Sequence, residues 1–307
     1  MTVGFGNIPQ EVIDYIREVF ARANDRVSSN LTVQPSSPEE SLDNLLVNEL
    51  RATPPMFFSS SKAGVVLESH WLGKRHMYGS WEVADIAFLI SIRMGGKLVA
   101  RKVTLLQTKR LYAQELAGAE LEDYDYQLGI GRLFDKIEDS VSLFPQRIFR
   151  FKPECKYEVL LAGSNQVKVI EAYAKSRKID VYYGLYNPLT MPFTGKYPWS
   201  NNTPLPTTNT VGIRIIPSKD VHSVLAKKKD GQALTYAELS FPKYNKADGV
   251  SSHGWRLEHF VADEVMACRH GRLFTQNFDD DMRALLYGRT GPISSAISIT
   301  IDLASDG

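Results

Sequence analysis

Residues 81–110, WEVADIAFLISIRMGGKLVARKVTLLQTKR, constrain the fold more than any other stretch of the chain. Two apolar runs, 86–92 and 103–106, flank Met94-Gly95-Gly96-Lys97. Short apolar runs rich in Ile, Leu, Val and Phe and parted by a glycine pair predict a buried β-hairpin. Both runs carry polar residues that a core disfavours: Asp85 opens the first, and Gln107 and Lys109 interrupt the end of the second. Alternation sets Gln107 and Lys109 on one face of their strand, and Asp85, Ala87 and Leu89 on one face of the other. If the hairpin brings those ends side by side, a carboxylate, a carboxamide and an ammonium converge. Such a set can hold a divalent metal beside a phosphate.

The rest of the chain supports an ordinary folded protein. Its 307 residues can bury a full core, and 43% hydrophobic with 23% charged residues argue against wholesale disorder. A formal net charge of +1 announces no nucleic-acid partner, so any basic footprint has to be local. Short basic clusters at Lys74-Arg75-His76, Arg101-Lys102, 147–152 and Lys227-Lys228-Lys229 read first as solvated surface. Cys155 and Cys268 form no CxxC pair, which argues against a disulfide scaffold or a structural zinc site. The first residues lack the features of a signal peptide, and no apolar run is long enough for a membrane helix. The expectation is a soluble, cytoplasmic protein with no membrane association.

Periodicity predicts a helix over 9–24, with Val12, Ile16, Val19 and Phe20 on one stripe, then a polar turn-rich stretch over 28–38. A second helix is expected over 38–52, with Ser36 or Ser37 as its cap. A strand over 64–68 precedes the hairpin; 114–123 reads as a loop or short helix, and 126–141 as a helix. Residues 157–186 read as strand, amphipathic helix and strand, which implies a parallel pair within a mixed sheet. A long loop is expected over 187–209, then a strand over 211–216 and a short helix over 218–227. Helices are expected over 255–268 and 278–287, and the tail 294–303 as a final strand; 233–241 is ambiguous.

On the second helix, Leu42, Leu45, Leu46 and Leu50 define the stripe, and Glu49 falls on it. Each polar residue also has a structural explanation. Glu49 sits at the edge of a narrower stripe, and Lys109-Arg110 mark where the strand leaves the core. Taken jointly, Glu49, Asp85, Gln107 and Lys109 point to a site. Glu68 and Glu82 are secondary candidates for a metal shell, and Tyr126-Gln127 for reaching back to a phosphate or water. His70 and His76 have no metal-ligand spacing; His253, His259 and His270 read as ordinary polar positions, and Cys268 has no nucleophile's partners. Gly129-Ile130-Gly131 lacks the ending of a phosphate-binding loop, so ATP use is unsupported.

Glu49 on a helix, Asp85 in ADIAF and Gln107-Thr108-Lys109 in LLQTKR resemble the PD-(D/E)xK nuclease superfamily, the restriction-endonuclease-like fold. There a helix supplies a glutamate, one strand an aspartate, and the next an acidic residue, a spacer and a lysine. Gln107 in place of that acidic residue resembles the Mrr-like QxK variant. The resemblance covers about residues 38–187. It implies an α/β protein: a restriction-endonuclease-like mixed central sheet flanked by helices, with an additional C-terminal α+β region. Residues 1–190 would form the nuclease core with its N-terminal helices. Residues 191–307 would complete that domain or recognise substrate or partner.

The chemistry implied is Mg²⁺- or Mn²⁺-dependent endonucleolytic hydrolysis. Asp85 is the principal metal ligand, Glu49 contributes directly or through water, and the Gln107 oxygen and Thr108 carbonyl complete the shell. Lys109 orients the attacking water and offsets charge on the phosphate. DNA ranks ahead of RNA as substrate, in restriction or antiviral defence, with a homodimer or a partner protein of a defence system as company. The alternative is a catalytically decayed nuclease-fold module that binds nucleic acid or a partner protein. A purely structural α/β protein would keep Glu49, Asp85 and Lys109 too far apart to share an ion.

Overall fold

The computed structural model describes residues 6, 8–72, 82–115, 147–197, 199, 204–242, 250–274 and 293–304. The helices expected over 126–141 and 278–287, with Tyr126, Gln127 and His76, lie outside them. The architecture is mixed α/β, a central mixed sheet flanked by helices.

Two helices come first, α1 (Gln10–Val33) and α2 (Glu39–Arg51). The first runs nine residues past the expected end because its apolar stripe continues. Ala23, Val27 and Leu31 extend the line of Val12, Ile16, Val19 and Phe20, all buried. Pro38 rather than a serine occupies the N-cap of α2, with no side-chain cap. Strands β1 (Met56–Phe58) and β2 (Ala63–Trp71) follow. Next come β3 (Ala84–Met94) and β4 (Lys97–Arg110), the expected hairpin. Gly95 and Gly96 both take positive φ, 56° and 76°, as a two-residue loop closed by the Met94–Lys97 pair demands.

Beyond the hairpin lie β5 (Gln114–Glu115), β6 (Arg147–Phe151) and β7 (Lys156–Leu161), then α3 (Asn165–Arg177) and β8 (Val181–Tyr186). The region expected as a long loop contains β9 (Phe193–Tyr197). After it come β10 (Arg214–Pro217), α4 (Ser218–Leu225), β11 (Ala233–Thr235) and a 3₁₀ turn over Ala237–Leu239. Strands β12 (Val250–Ser251) and β13 (Gly254–Arg256) lead into a helical turn over Leu257–His259, which continues with π-type hydrogen bonding over Phe260–Val265. Trp255 is thus in a strand, not at the start of a helix. Strands β14 (Arg272–Phe274) and β15 (Ile293–Leu303) complete the described elements.

The main sheet runs β1-β2-β15-β3-β4-β8-β10-β13-β12, with β14 also paired to β4. It takes strands from both sides of residue 190: β15 inserts between β2 and β3, antiparallel to the former and parallel to the latter. The expected parallel pair is corrected. Strand β7 pairs with β11 in a separate two-stranded sheet, and the parallel partner of β8 is β4. Strand β8 is buried throughout, and so is β4 from Lys102 to Lys109, as strands covered on both faces require. One cover is α1, whose Phe20 meets Phe88 of β3 edge-on at 5.5 Å, worth roughly 0.5–1.5 kcal/mol beyond its buried area. Lys102 is no surface residue: it is buried, and its Nζ donates to the Val265 carbonyl at 2.7 Å. Both cysteines are free.

Candidate functional site

A mismatch in strand length creates the site. Strand β3 starts at Ala84 and its ladder with β4 starts at Ile86–Leu106, but β4 runs on to Arg110. Over residues 107–110 β4 keeps β8 on one side, with Gln107 opposite Tyr183 and Arg110 opposite Tyr186. On the other side the missing length of β3 leaves backbone N–H groups that must find acceptors elsewhere. Two carboxylates supply them. Asp85 Oδ2 accepts the Thr108 N–H at 2.7 Å, and Glu39 Oε2 accepts the Arg110 N–H at 3.1 Å.

The resulting notch is a cavity of about 380 Å³. Its walls are the first turns of α2 (Glu39, Glu40, Asp43, Asn44), the starts of β3 and β15 (Glu82, Asp85, Ser294, Ser295), and Gln107, Lys109, Trp71 and Gln166. Five of these are carboxylates and one is an ammonium.

The hydrogen bonding is dense. Asp85 Oδ2 also accepts from the Thr108 hydroxyl at 2.9 Å and from the Gln107 amide Nε2. Thr108 also stands close enough to Asp43 to favour its charged form, so one residue lies between the carboxylates of α2 and β3. Asp43 Oδ1 accepts the Tyr186 phenol at 2.5 Å, and Lys109 Nζ pairs with Glu39 Oε1 at 2.7 Å. Ser295 Oγ donates to the Asp85 carbonyl at 2.8 Å, tying β15 to the same corner. Two polar atoms here are buried without a partner, Gln107 Oε1 and Ser294 Oγ.

These neighbours set the charges. Burial first, then the nearby Asp85 charge, push Asp43 well above the usual carboxylate range. Burial likewise raises Glu39, against the pull of Lys109. For Lys109, burial works to discharge the ammonium, but Glu39, Asp85 and Asp43 together outweigh it, and its pKa rises. Lys109 therefore stays charged through neutral pH, while the carboxylates crowd each other.

Of the four residues expected to converge, the structure brings three together: Asp85, Gln107 and Lys109. Glu49 is corrected. The buried face of α2 is Leu42, Asp43, Leu46, Val47 and Leu50, so Glu49 lies at its half-exposed edge. It sits roughly 9 Å along the helix axis from Asp43, outside the notch lining. The helix instead contributes Glu39 and Asp43, which sequence reading missed. A visible signal existed, since Asp43 precedes Leu46, Val47 and Leu50 at helical spacing on the buried stripe. Glu82 lines the notch; Glu68 and His70 do not.

Among the described residues, no group of three or more His, Cys, Asp and Glu is placed to hold a metal ion. A magnesium-type ion does not need one, because it keeps several waters and takes one or two carboxylates. Asp85 and Asp43, which share the notch and feel each other's charge, fit that requirement. The orphaned Gln107 Oε1 fits it too: turning the amide over would put an oxygen against Asp85, an arrangement that calls for a cation between them.

Among the described residues no helix is long and apolar enough to cross a membrane. Compared with protein-family models, curated proteins and solved structures, the chain matches none.

Proposed function

We propose that the notch is the active site of a divalent-cation-dependent nuclease of restriction-endonuclease-like build, hydrolysing phosphodiester bonds in DNA. The observation that carries this reading is the convergence of carboxylates from α2 and β3 on one notch, beside the Gln107 amide and the charged Lys109. The order of elements agrees with the resemblance: α2 brings the acid, β3 the aspartate, β4 the QxK run, and α3 leads to β8 parallel to β4.

Asp85 and Asp43, with Gln107 through Oε1, would hold Mg²⁺ or Mn²⁺, and Glu39 stands next to them. The ion supplies a water of lowered pKa and a Lewis acid for the phosphate oxygens. Lys109 contributes a positive charge fixed before the substrate arrives, which stabilises the negative charge that grows on the phosphate. Glu39 holds the Lys109 ammonium in position, Thr108 fixes the Asp85 carboxylate, and the Tyr186 phenol fixes that of Asp43. An acidic notch repels a polyanion until a cation offsets it, so binding of DNA here depends on the ion. A part in restriction or antiviral defence, with a second copy or a partner protein, rests on the resemblance alone.

Cleavage of plasmid, linear duplex and single-stranded DNA in Mg²⁺ or Mn²⁺ tests the reading. Asp85→Ala and Lys109→Ala are expected to cut at least about 100-fold more slowly, the scale of losing one preorganised electrostatic group. Glu49→Ala is expected to cut like the parent. Asp85 and Lys109 variants that cut like the parent would refute the site.

One observation favours a second reading, a nuclease-fold module that binds nucleic acid without cutting it. Gln107 is uncharged, and its Nε2 donates to Asp85, so the notch coheres without an ion. DNA binding that is unchanged by Asp85→Ala, with no cleavage in either metal, identifies that case.

A further inference from the structure

The notch is larger than the proposed chemistry needs. A phosphate, one ion and its waters take the space of a few water molecules, each about 30 Å³, well short of 380 Å³. The cavity as a whole is in the range of organic-ligand pockets. Its walls change character along its length: carboxylates and Lys109 at the end formed by α2, β3 and β4, and the indole of Trp71 at the other.

Trp71 is the last residue of β2 and is 49% exposed, unusual for so large an apolar ring. It is held by the sheet rather than by a mobile loop. Trp71 pairs with Ser295 of β15, and Ser295 donates to the Asp85 carbonyl on β3. Two strand spacings, about 10 Å, therefore separate the Trp71 backbone from the Asp85 strand. Both side chains line the notch between those strands, a separation on the scale of one nucleotide. Between the two ends lies Ser294 Oγ, buried and without a partner, while Asn44 and Gln166 add neutral amides to the lining.

We infer that Trp71 is a stacking platform for one unpaired nucleobase, and that the substrate class is single-stranded nucleic acid. The inference rests on the nuclease reading for the position of the phosphate. An indole face takes any base, because every base has a π-face, and stacking is the usual source of affinity for single strands. The base has to be unpaired. A nucleotide entering a cavity this size cannot bring its complement with it.

Binding of short oligothymidylate in Mg²⁺, followed by tryptophan fluorescence, tests the inference, with an equally long abasic strand as comparison. The chain has four tryptophans, so the Trp71 signal is the difference between the parent and Trp71→Phe. Oligothymidylate is expected to quench that signal and to bind Trp71→Ala about tenfold or more weakly, with Trp71→Phe close to the parent. The abasic strand is expected to bind parent and Trp71→Ala equally. Equal oligothymidylate affinity for parent and Trp71→Ala, or an abasic strand that binds as tightly as oligothymidylate, overturns the inference. Cleavage is scored separately: a protein that stacks the base but never cuts keeps this inference and removes the hydrolytic reading.

Discussion

Among the described residues two places bury carboxylates, and they differ in how the charge is answered. At the node that joins α1 to the segment after β13, Glu258 accepts from the Arg256 guanidinium and from Asn24 Nδ2 at 2.8 Å. Asn24 Oδ1 in turn accepts from the Ile213 N–H at 2.7 Å and Ser28 Oγ at 3.2 Å, and Arg256 donates to the Asn209 carbonyl. One acid meets one base, and the amide between them uses both its ends. In the notch, five carboxylates share a cavity with one ammonium, and two polar atoms have no partner. Burial of polar groups is common to both, so burial alone does not mark a site. Like charges crowded beside a cavity do, and the crowding shows in the raised pKa values of Asp43 and Glu39.

Substitutions should separate the two places by sign. The largest effect is expected from Glu258→Ala, which strands a guanidinium and an amide below the surface. A loss of roughly 3–5 kcal/mol in denaturant unfolding is expected. A loss under about 1 kcal/mol would show that the node is not balanced as described. In the notch, Asp43→Asn should do the reverse. Burial and Asp85 raise the folded pKa of Asp43, so stability is fully present below the unfolded value and declines as pH rises through the folded one. Removing that charge should add roughly 1 kcal/mol at neutral pH while abolishing metal-dependent activity. A destabilised variant would mean that Asp43 is there for the fold.

The smallest expected effect tests the balanced side by pH. His253 stacks on Tyr236 with centroids 4.0 Å apart, and burial, then the Arg214 charge, lower its pKa to about 4. Between the ordinary value of 6.5 and about 4 the unfolded chain takes up a proton that the folded one refuses. Stability due to this group is therefore complete above 6.5 and falls as pH drops towards 4. His253→Phe keeps the ring stack, and its melting temperature should decline less over that window than the parent's. Parallel declines would show that His253 charges freely in the folded protein.

The hairpin was legible because its information is local. A period of two, a glycine pair and adjacent strands suffice to align Asp85 with Gln107, and the ladder leaves them where the pattern put them. Glu39 was hidden for a physical reason. Acidic residues in the first turn of a helix are favoured by the helix dipole whether or not they do anything else, so Glu39-Glu40 carries no distinguishing signal. Glu49 was chosen because the stripe was drawn through Leu45, whereas the sheet contacts rotate it to Asp43 and Val47. The placing of β15 beside β3 joins segments about 200 residues apart, and no local pattern encodes such a register. The parallel partner of β8 was missed similarly, since β7 stands nearer in sequence but pairs with β11.

The central claim is that the notch needs a divalent cation and that Asp85 anchors it. Isothermal titration of Mn²⁺ into the parent and into Asp85→Asn tests it without any substrate. One site per chain is expected in the parent, and no binding at that site in the variant. Equal binding by both proteins, or none by either, would contradict it.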